Sequence, residues 1–502
     1  MARPKTDAAA SADEIYVRAL QARDPRFDGI FFVGITSTRI YCRPICPARV
    51  SHPEHRRFFD TAAAAERAGF RPCRRCRPEL APGRSLVHAV SRLAEAAARR
   101  IAAGALNGRS VEELARELCV SERHLRRALQ KAFGVTPIEL AQTHRLLLAK
   151  RLLTDTTLPV THVAYASGFQ SVSRFNHTFR ERYRMRPTEL RRQGRSRSAR
   201  ADETLRLTLS YRAPFAWDAV LATLAREAVD RAEVVEGRSY CRTVRIDGHS
   251  GVIRVEDGAF ASGRRNGRQV SHLNVAVSAS LVPVLMPLIA RSRQFFDLDA
   301  EPAVIDGCLA RAGLEALVEA RPGVRLVGSI DAFEAAIRVV LRGGLPRPRG
   351  VDPAAAVAEA LGEQVETGIP GLTRVFPDAD RIAEAGAGRL IALGVPPRRA
   401  EATEALARAV ADGALELAPG GNVSATRRAL AELPGVGARL ATLIVMRALS
   451  WPDAFPARDP VLRRAVGAAD AAALRDRARA WRPWRAYAAT RLWLDGLSAN
   501  RA

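Results

Sequence analysis

Four cysteines near the N-terminus constrain the fold of this chain more than any other feature of its sequence. Three residues separate Cys42 from Cys46, and two separate Cys73 from Cys76. This number of ligands and this spacing are typical of a closed tetrahedral zinc site, so we predict one Zn²⁺ per chain held by four thiolates. Two alternatives stay open at this point, a zinc site with a purely structural role and a pair of disulfides.

Arginine surrounds the cysteines. The segments that contain them also contain Arg43, Arg49, Arg56, Arg57, Arg71, Arg74, Arg75 and Arg77. The whole chain has a net charge of +25, and residues 1–203 hold 38 Lys and Arg against 20 Asp and Glu. A basic region around a thiolate cluster indicates a nucleic-acid partner whose phosphate backbone meets the metal site. For each arginine, the alternative is an ordinary solvated surface charge.

The rest of the composition limits the class of protein. A chain of 502 residues is expected to form about three domains. It has no run of about 20 apolar residues, and its first residues lack the apolar core of a signal peptide, so we expect no membrane contact and a cytoplasmic location. Seven cysteines are too few for a disulfide scaffold at this length. We expect the three isolated ones to be buried, inert thiols; they are Cys119, Cys241 and Cys308.

Changes in the apolar pattern divide the chain into five segments. The predicted segments are residues 1–82, 83–193, 194–203, 204–285 and 286–502. The first combines short apolar strands with the cysteines, the second is helical in pattern, and the third is a polar, basic linker. The fourth alternates like β-strands, with Asp247-Gly248 as a turn signal between two of them. The last is mostly helical.

The second segment contains an internal repeat. Leu125, Phe133, Pro137 and Leu140 are matched at an offset of 50 by Phe175, Tyr183, Pro187 and Leu190. Ser121 and Ser171 also match, and each is placed to cap a helix. We interpret the repeat as two helix-turn-helix units whose second helices enter successive major grooves, the alternative being two ordinary helical hairpins. The predicted DNA contacts on these helices are Arg123, Arg126, Arg174 and Asn176.

A Pro-Gly-x-Gly turn marks the last segment. Gly435 and Gly437 flank Val436 at the start of an apolar helix, and such a turn presents free backbone N–H groups that can bind one DNA phosphate. This is the signal of a helix-hairpin-helix, although an ordinary turn is possible. Asp459 lies 22 residues past Gly437 and precedes Pro460, which predicts a helix N-cap with Pro at the first helical position.

The first two segments resemble known families. Phe31 to Arg49, together with Gly69 to Pro78, resembles the methylphosphotriester sensor of Ada proteins, and Val160 to Phe179 resembles the second helix-turn-helix of AraC-type activators. In the Ada family one zinc-bound thiolate takes a methyl group from a methylated DNA phosphate. By position in the motif, the resemblance implies that Cys42 is this acceptor. It further implies that the other zinc ligands and two DNA-face residues are Cys46, Cys73, Cys76, Arg49 and Arg71.

The resemblance also implies a switch. Four thiolates around one Zn²⁺ leave two net negative charges, and methylation of one sulfur leaves one, so affinity for DNA should rise. The transfer is stoichiometric because a thioether is a poor leaving group. The implied partners are promoter and alkylated double-stranded DNA and RNA polymerase, bound by a monomer at the bacterial nucleoid in the cytoplasm.

The last two segments resemble AlkA-type DNA glycosylases. The resemblance rests on Tyr211 to Trp217, on Trp481 to Trp493, and on the spacing of Asp459 behind the hairpin. It implies that Asp459 is the catalytic aspartate, which stabilises the developing charge on the sugar and directs water, and that Trp493 and Trp217 line the base pocket. Enzymes of this fold that also cut the strand carry a Lys where this chain has Arg439, so we expect a monofunctional glycosylase.

Together the four parts resemble the fused Ada–AlkA proteins of bacteria. The implied fold is multidomain α+β: a small zinc-binding α/β domain, an all-α double helix-turn-helix domain, a small antiparallel β subdomain and a helix-hairpin-helix glycosylase domain. One departure is the segment from Arg342 to Pro348, which stands where the family has a Gln-rich segment that wedges into DNA. It keeps open the alternative of an activator with a non-catalytic DNA clamp. A plain zinc DNA-binding protein without methyl transfer is a further alternative.

Overall fold

The computed structural model describes residues 12–83, 92–194, 204–258, 271–344, 351–417 and 422–499. Its first part is a four-stranded sheet in the order β3-β1-β2-β4, in which β1 is antiparallel to β2 and β3, and β4 is parallel to β2. The elements are α1 (Ala12–Ala22), β1 (Phe32–Ile35), β2 (Ile40–Cys42), β3 (Arg56–Phe59), α2 (Ala62–Arg67) and β4 (Arg71–Pro72).

Neighbouring phenylalanines before and in β1 pack on opposite faces of this sheet, as side chains of an extended segment must. Phe31 lies in the cluster that contains the four cysteines, and its ring stacks on Tyr16 with the ring centroids 4.2 Å apart. Phe32 lies in a second cluster with Tyr41 and Phe70. The sheet therefore separates the cysteine site from a hydrophobic face.

Seven helices form the second part. They are α3 (Arg92–Ala102), α4 (Val111–Glu117), α5 (Glu122–Phe133), α6 (Pro137–Asp155), α7 (Val160–Ala166), α8 (Val172–Tyr183) and α9 (Pro187–Gly194). The two predicted caps are present, because the Ser121 side chain accepts a hydrogen bond from the backbone N–H of His124 and that of Ser171 from Arg174. Helices α4–α5 and α7–α8 form the two helix-turn-helix units, and the long helix α6 links them.

Both tight turns contain a residue with left-handed backbone geometry. These residues are Cys119, with φ of 54°, and Gly168, with φ of 85°. Cys119 is exposed, so its predicted burial is wrong: it lies in the turn, outside the helix faces that form the core. Cys241 is buried as expected, and Cys308 is half-buried.

A five-stranded antiparallel sheet in the order β5-β9-β8-β7-β6 forms the third part. Its elements are β5 (Thr204–Ser210), α10 (Trp217–Glu227), β6 (Glu233–Glu236), β7 (Ser239–Ile246), β8 (His249–Asp257) and β9 (His272–Ser278). The Asp247-Gly248 turn is confirmed, since both residues have positive φ and Ile246 pairs with His249 across it. Strand β6 is not evident in the sequence, because it begins with a charged residue, Glu233, whose burial depends on distant partners that include Arg242 and Arg338.

The fourth part is mainly helical. Its helices are α11 (Leu285–Phe295), α12 (Pro302–Leu309), α13 (Glu315–Ala320), α14 (Ala332–Leu341), α15 (Pro353–Leu361), α16 (Ala379–Ala392), α17 (Pro397–Ala411), α18 (Val423–Glu432), α19 (Gly437–Ala448), α20 (Pro460–Ala465), α21 (Ala471–Arg477) and α22 (Arg485–Ala499). Two short strands pair antiparallel, β10 (Glu363–Gln364) with β11 (Arg374–Val375). Within the described ranges, no helix combines the length and the apolar character that crossing a bilayer requires.

The second helix-turn-helix unit and the five-stranded sheet share one hydrophobic core. Phe175 and Phe179 of α8 belong to the same buried cluster as Leu281 and Leu285, which follow β9. At the edge of this core, the side chain of Arg151 in α6 donates to the backbone oxygen of Thr208 in β5. The two halves are thus packed against each other. Of the predicted linker 194–203, residues 195–203 lie outside the described part of the chain.

Removal of the cap on helix α8 should destabilise the protein. Ser171→Ala leaves the N–H of Arg174 without its side-chain acceptor, so the free energy of unfolding should fall by about 1 kcal/mol. Urea unfolding followed by circular dichroism measures the change. Ser173→Ala, on the exposed surface of the same helix, is the control and should change the stability little. Equal effects of the two variants would contradict the capping role.

Candidate functional site

The four cysteines meet at one point. Their sulfur atoms all lie within 4.8 Å of one another. The parallel pairing of β2 with β4 brings the two pairs together, because Cys42 ends β2 and Cys73 directly follows β4. All seven cysteines of the chain are free thiols, so the disulfide alternative is wrong. Four buried sulfurs in mutual contact fit the donor set and geometry of a tetrahedral zinc site.

Backbone N–H groups distinguish the four sulfurs from one another. The backbone N–H of Arg43 donates to Cys76 Sγ at 3.4 Å. The pKa of Cys46 is lowered to about 7, first by the Cys42 thiol and also by a backbone N–H, that of Ala48. The pKa of Cys73 is also lowered. The largest cause is the Cys42 thiol, and the backbone N–H of Cys76 contributes as well.

Cys42 differs from Cys76 in its hydrogen bonds. Hydrogen bonding to Cys46 raises the pKa of the Cys42 thiol, and none of the described backbone N–H groups donates to its sulfur. A thiolate that accepts N–H hydrogen bonds holds its lone pairs more tightly and is a weaker nucleophile. The Cys42 sulfur therefore lacks the N–H hydrogen bond that the Cys76 sulfur accepts.

A buried ion pair supports the loop that follows Cys42. The guanidinium of Arg43 bonds to the carboxylate of Asp28, with 2.8 Å between Nε and Oδ1. The same guanidinium donates through Nη1 to the backbone oxygen of Cys76 at 3.0 Å. Arg43 therefore contacts Cys76 twice, once through its backbone N–H and once through its side chain.

Helix α6 packs against the cysteine site. Lys150 is 3% exposed, and its Nζ lies 3.5 Å from the backbone oxygen of Cys73. The Tyr41 hydroxyl donates to Glu66 at 3.1 Å, and Thr143 of α6 donates to the same carboxylate at 3.1 Å. Burial raises the pKa of Glu66 to about 7. Sequence reasoning missed this contact, although Lys150 is unusual in a chain where only three of 78 basic residues are Lys.

Most of the predicted DNA contacts are on the surface. The exposed ones are Arg49, Arg123, Arg174 and Asn176, whereas Arg71 and Arg126 are half-buried. Arg126 also pairs with Glu122, with 2.7 Å between Nε and Oε1. An arginine already held in an ion pair is less available to a phosphate than its exposed neighbour Arg123. This difference could not be read from the repeat alone.

The predicted helix-hairpin-helix is present as α18, a tight turn and α19. Gly435 and Gly437 are exposed and have φ of 74° and 61°. A Cβ at Gly435 would lie 2.8 Å from Cβ of Ala402, so the turn packs closely on helix α17. Val436, at the N-cap of α19, supplies no side-chain hydrogen bond. The first N–H groups of α19 therefore remain available to an anion.

Asp459 is the N-cap of α20, as predicted. Its Oδ1 accepts from the backbone N–H groups of Val461 and Leu462 at 2.9 and 3.0 Å. Within the described residues, no hydrogen bond reaches its Oδ2. The side chain is half-buried. One oxygen is thus fixed by the helix, and the position of the other follows from it.

The two predicted pocket tryptophans lie in different surroundings. Trp493 in α22 is half-buried, and the Arg447 guanidinium lies 6.0 Å from its ring centroid. Helix α22 packs on α20, the helix that Asp459 caps. Trp217 is 2% exposed and donates through Nε1 to the backbone oxygen of Arg238 at 3.1 Å. Trp217 is therefore a core residue here, which does not support its predicted place in a base pocket.

The unusual segment after α14 is anchored at its start. Arg342 is 4% exposed, pairs with the buried carboxylate of Asp352 and donates to the backbone oxygen of Glu227. Arg439 Nη1 donates to the backbone oxygen of Gly343 at 2.9 Å. Residues 345–350 lie outside the described part of the chain. Arg439, which stands where strand-cutting enzymes of this fold carry a Lys, therefore also holds the backbone at Gly343.

Comparisons with known proteins agree with this architecture. Three family models match: "Metal binding domain of Ada" over residues 16–79, "Helix-turn-helix domain" over residues 114–193 and "AlkA N-terminal domain" over residues 206–331. The "Probable bifunctional transcriptional activator/DNA repair enzyme AlkA" of Mycobacterium tuberculosis is 37% identical over 95% of both chains. The "DNA-3-methyladenine glycosylase 2" of Escherichia coli is 32% identical over 57% of this chain and 96% of its own.

A third relative matches the first part. The "Bifunctional transcriptional activator/DNA repair enzyme Ada" of Escherichia coli is 35% identical over 27% of this chain and 36% of its own. These folds and sites define the class of multidomain proteins that combine a transcriptional activator with a DNA repair enzyme. The chain belongs to the family of fused Ada–AlkA proteins. The family and the α+β fold class inferred from the sequence are confirmed.

Two substitutions at Asp459 should separate its role as a cap from the role of its charge. Asn can still accept from the N–H groups of Val461 and Leu462, so Asp459→Asn should leave the free energy of unfolding nearly unchanged. Asp459→Ala removes the cap and should lower that free energy by about 1 kcal/mol. Urea unfolding of the full chain measures both. A large loss with Asn would show that the negative charge itself stabilises the fold.

Proposed function

We propose that this protein senses DNA methylation damage, activates transcription in response, and removes alkylated bases. The sensor accepts a methyl group from DNA methylphosphotriesters on Cys42, and the second half excises alkylated purines such as 3-methyladenine. The observation that carries the proposal is the cluster of four buried sulfurs that lie within 4.8 Å of one another.

Cys42, Cys46, Cys73 and Cys76 would hold one Zn²⁺ per chain. When bound, the metal keeps all four sulfurs deprotonated. The Cys42 thiolate attacks the methyl carbon of the methylated phosphate. An S–C bond forms, the C–O bond breaks, and its electron pair stays on oxygen, which restores the negative charge of the phosphodiester. The thioether does not return the methyl group, so each chain reacts once.

Methyl transfer would strengthen binding of the first half to DNA. The cluster loses one of its two net negative charges, and repulsion of the phosphate backbone falls accordingly. Arg49 and Arg71 are the proposed phosphate contacts beside the cluster. The proposed base contacts lie on α5 and α8 and are Arg123, Arg126, Arg174 and Asn176. The protein would bind its promoter as a monomer and recruit RNA polymerase.

In the second half, the hairpin and Asp459 would act on one opened nucleotide. The backbone N–H groups at Gly435 and Gly437 bind a phosphate, and the damaged base leaves the stack to be reached. Trp493 stacks on the cationic base, and cation–π attraction between the ring and the base favours binding of the damaged base. The free Oδ2 of Asp459 stabilises the positive charge that develops on the sugar and directs water to it. Arg439 is a poor amine nucleophile, so the strand is not cut.

The proposed domains follow this division of labour. Residues 1–82 form the methyl acceptor, 83–193 the activator's DNA-binding domain, 204–285 the β subdomain and 286–502 the glycosylase domain, with 194–203 as the linker. The alternative for the second half is a non-catalytic DNA clamp. Its support is the Arg342–Pro348 segment, whose first residue is held in a buried ion pair rather than directed toward DNA.

Exposure of the purified chain to DNA that carries methylphosphotriesters should place one methyl group on Cys42. Peptide mass spectrometry locates the methyl group, and metal analysis should find one zinc per chain. Cys42→Ser should abolish the transfer, because a serine hydroxyl stays protonated. Cys119→Ser, which removes an exposed thiol outside the cluster, is the control and should transfer fully. A methyl group on Cys73, or on none of the four, would rule out the assignment of Cys42.

The full-length Asp459→Asn variant should release alkylated purines more slowly by a factor on the order of 100 or more, because a directed charge at a developing cation is lost. Release of 3-methyladenine from alkylated duplex DNA measures this, and the wild type should leave abasic sites in uncut strands. Asp453→Asn, at a carboxylate paired with Arg485, is a control outside the proposed site. No release by the wild type would favour the non-catalytic clamp.

A further inference from the structure

A buried arginine of the glycosylase half bonds to three backbone carbonyl groups. Arg212 follows β5 and is 4% exposed. Its Nη1 donates to the backbone oxygen of Asp299 at 3.0 Å. Its Nη2 donates to the backbone oxygens of Asp28 at 3.0 Å and of Gly83 at 2.7 Å. Two of these three acceptors lie before the helix-turn-helix units, so this guanidinium crosses the boundary between the two halves.

Asp28 is held on both sides. Its backbone oxygen accepts from Arg212, and its carboxylate pairs with Arg43, whose Nε lies 2.8 Å from Oδ1. Arg43 in turn contacts Cys76 at the backbone oxygen and at Sγ. A continuous series of hydrogen bonds between buried groups therefore runs from Arg212 of the glycosylase half to a sulfur of the cysteine cluster.

The backbone beside Asp28 is closely packed against other groups. Gly29 has φ of 78°, and a Cβ there would lie 2.0 Å from the backbone oxygen of Pro82 and 3.4 Å from Nη2 of Arg212. The turn is thus confined by close contacts as well as by hydrogen bonds. Loss of the Arg212 guanidinium would leave three buried carbonyl oxygens without this donor, and one of them belongs to Asp28, the partner of Arg43.

We propose that Arg212 is a positioning residue of the cysteine site and acts on it through Asp28 and Arg43. The proposal rests on the zinc binding and methyl acceptance proposed above. Residues that orient metal ligands from outside change metal affinity by about 10- to 100-fold when they are lost. A displaced Arg43 would also withdraw its N–H from Cys76 Sγ. Cys76 would then compete with Cys42 for the methyl group.

Zinc retention tests the proposal in the full chain. Arg212→Met should lower zinc affinity by about 10-fold, measured by competition with a chromogenic chelator. The d–d absorption of the cobalt-substituted protein should shift, because the ligand geometry changes. Arg293→Met is the matched control: Arg293 bonds to Asp299 and Ser210 at the same corner but is not bonded to Asp28. It should keep the wild-type affinity and spectrum.

The position of the methyl group gives an independent readout. In Arg212→Met, part of the methyl should appear on Cys76, whereas the wild type and Arg293→Met should carry it on Cys42 alone. Arg212→Lys keeps the charge and some of the hydrogen bonds, so it should restore part of the zinc affinity; it also serves if Arg212→Met does not fold, as judged by circular dichroism.

Three results would overturn the proposal: wild-type zinc affinity in the folded Arg212→Met variant, equal loss in Arg212→Met and Arg293→Met, or no difference between Arg212→Lys and Arg212→Met. Failure of the proposed function has a different signature. In that case the wild type itself would bind no zinc or accept no methyl group. A wild type that binds zinc but accepts no methyl group still allows the chelator and cobalt measurements to decide the role of Arg212.

Discussion

One hydrophobic core that crosses the boundary between two domain types holds the rest of this structure together. Phe175 and Phe179 of the second helix-turn-helix unit are buried with Leu281 and Leu285 of the glycosylase half. Burial of such side chains contributes about 1.5–3 kcal/mol each. Because the two halves contribute to one buried cluster, the docked arrangement is favoured. Packing of this core brings the two halves together. The polar groups at the boundary, above all the Arg212 guanidinium, then lie within hydrogen-bond distance of their partners.

At the cysteine site, four side chains of the same type differ in the hydrogen bonds that their sulfur atoms accept. Four sulfurs of the same chemical type meet where β2 and β4 run parallel, and burial makes each of them a poor partner for water. The backbone then differentiates them, since Cys76 accepts an N–H hydrogen bond from Arg43 and Cys42 accepts none among the described residues. Residues of one type thus receive different surroundings, and the surroundings of a sulfur influence its nucleophilicity.

The carboxylate of Asp459 has an observed structural role as a helix N-cap and a proposed chemical one. Two backbone N–H groups fix Oδ1, and this fixes the direction of Oδ2 at no further cost in side-chain entropy. The carboxylate to which we assign the catalytic charge is thus held at a helix N-cap in the structure without DNA. The cap and the charge are properties of different atoms of the same side chain, which is why Asn can keep the first and lose the second.

The sequence by itself determined the features that depend on local spacing: the two cysteine pairs, the capped helices after Ser121 and Ser171, the Asp247-Gly248 turn, and the hairpin before Asp459. Each follows from the preferences of a few adjacent residues. Only the tertiary structure decided the burial of Trp217, the exposure of Cys119 and the contact of Arg212 with Asp28. These depend on groups far apart in the chain. Their distances are set by how whole domains pack, and no local pattern records that packing.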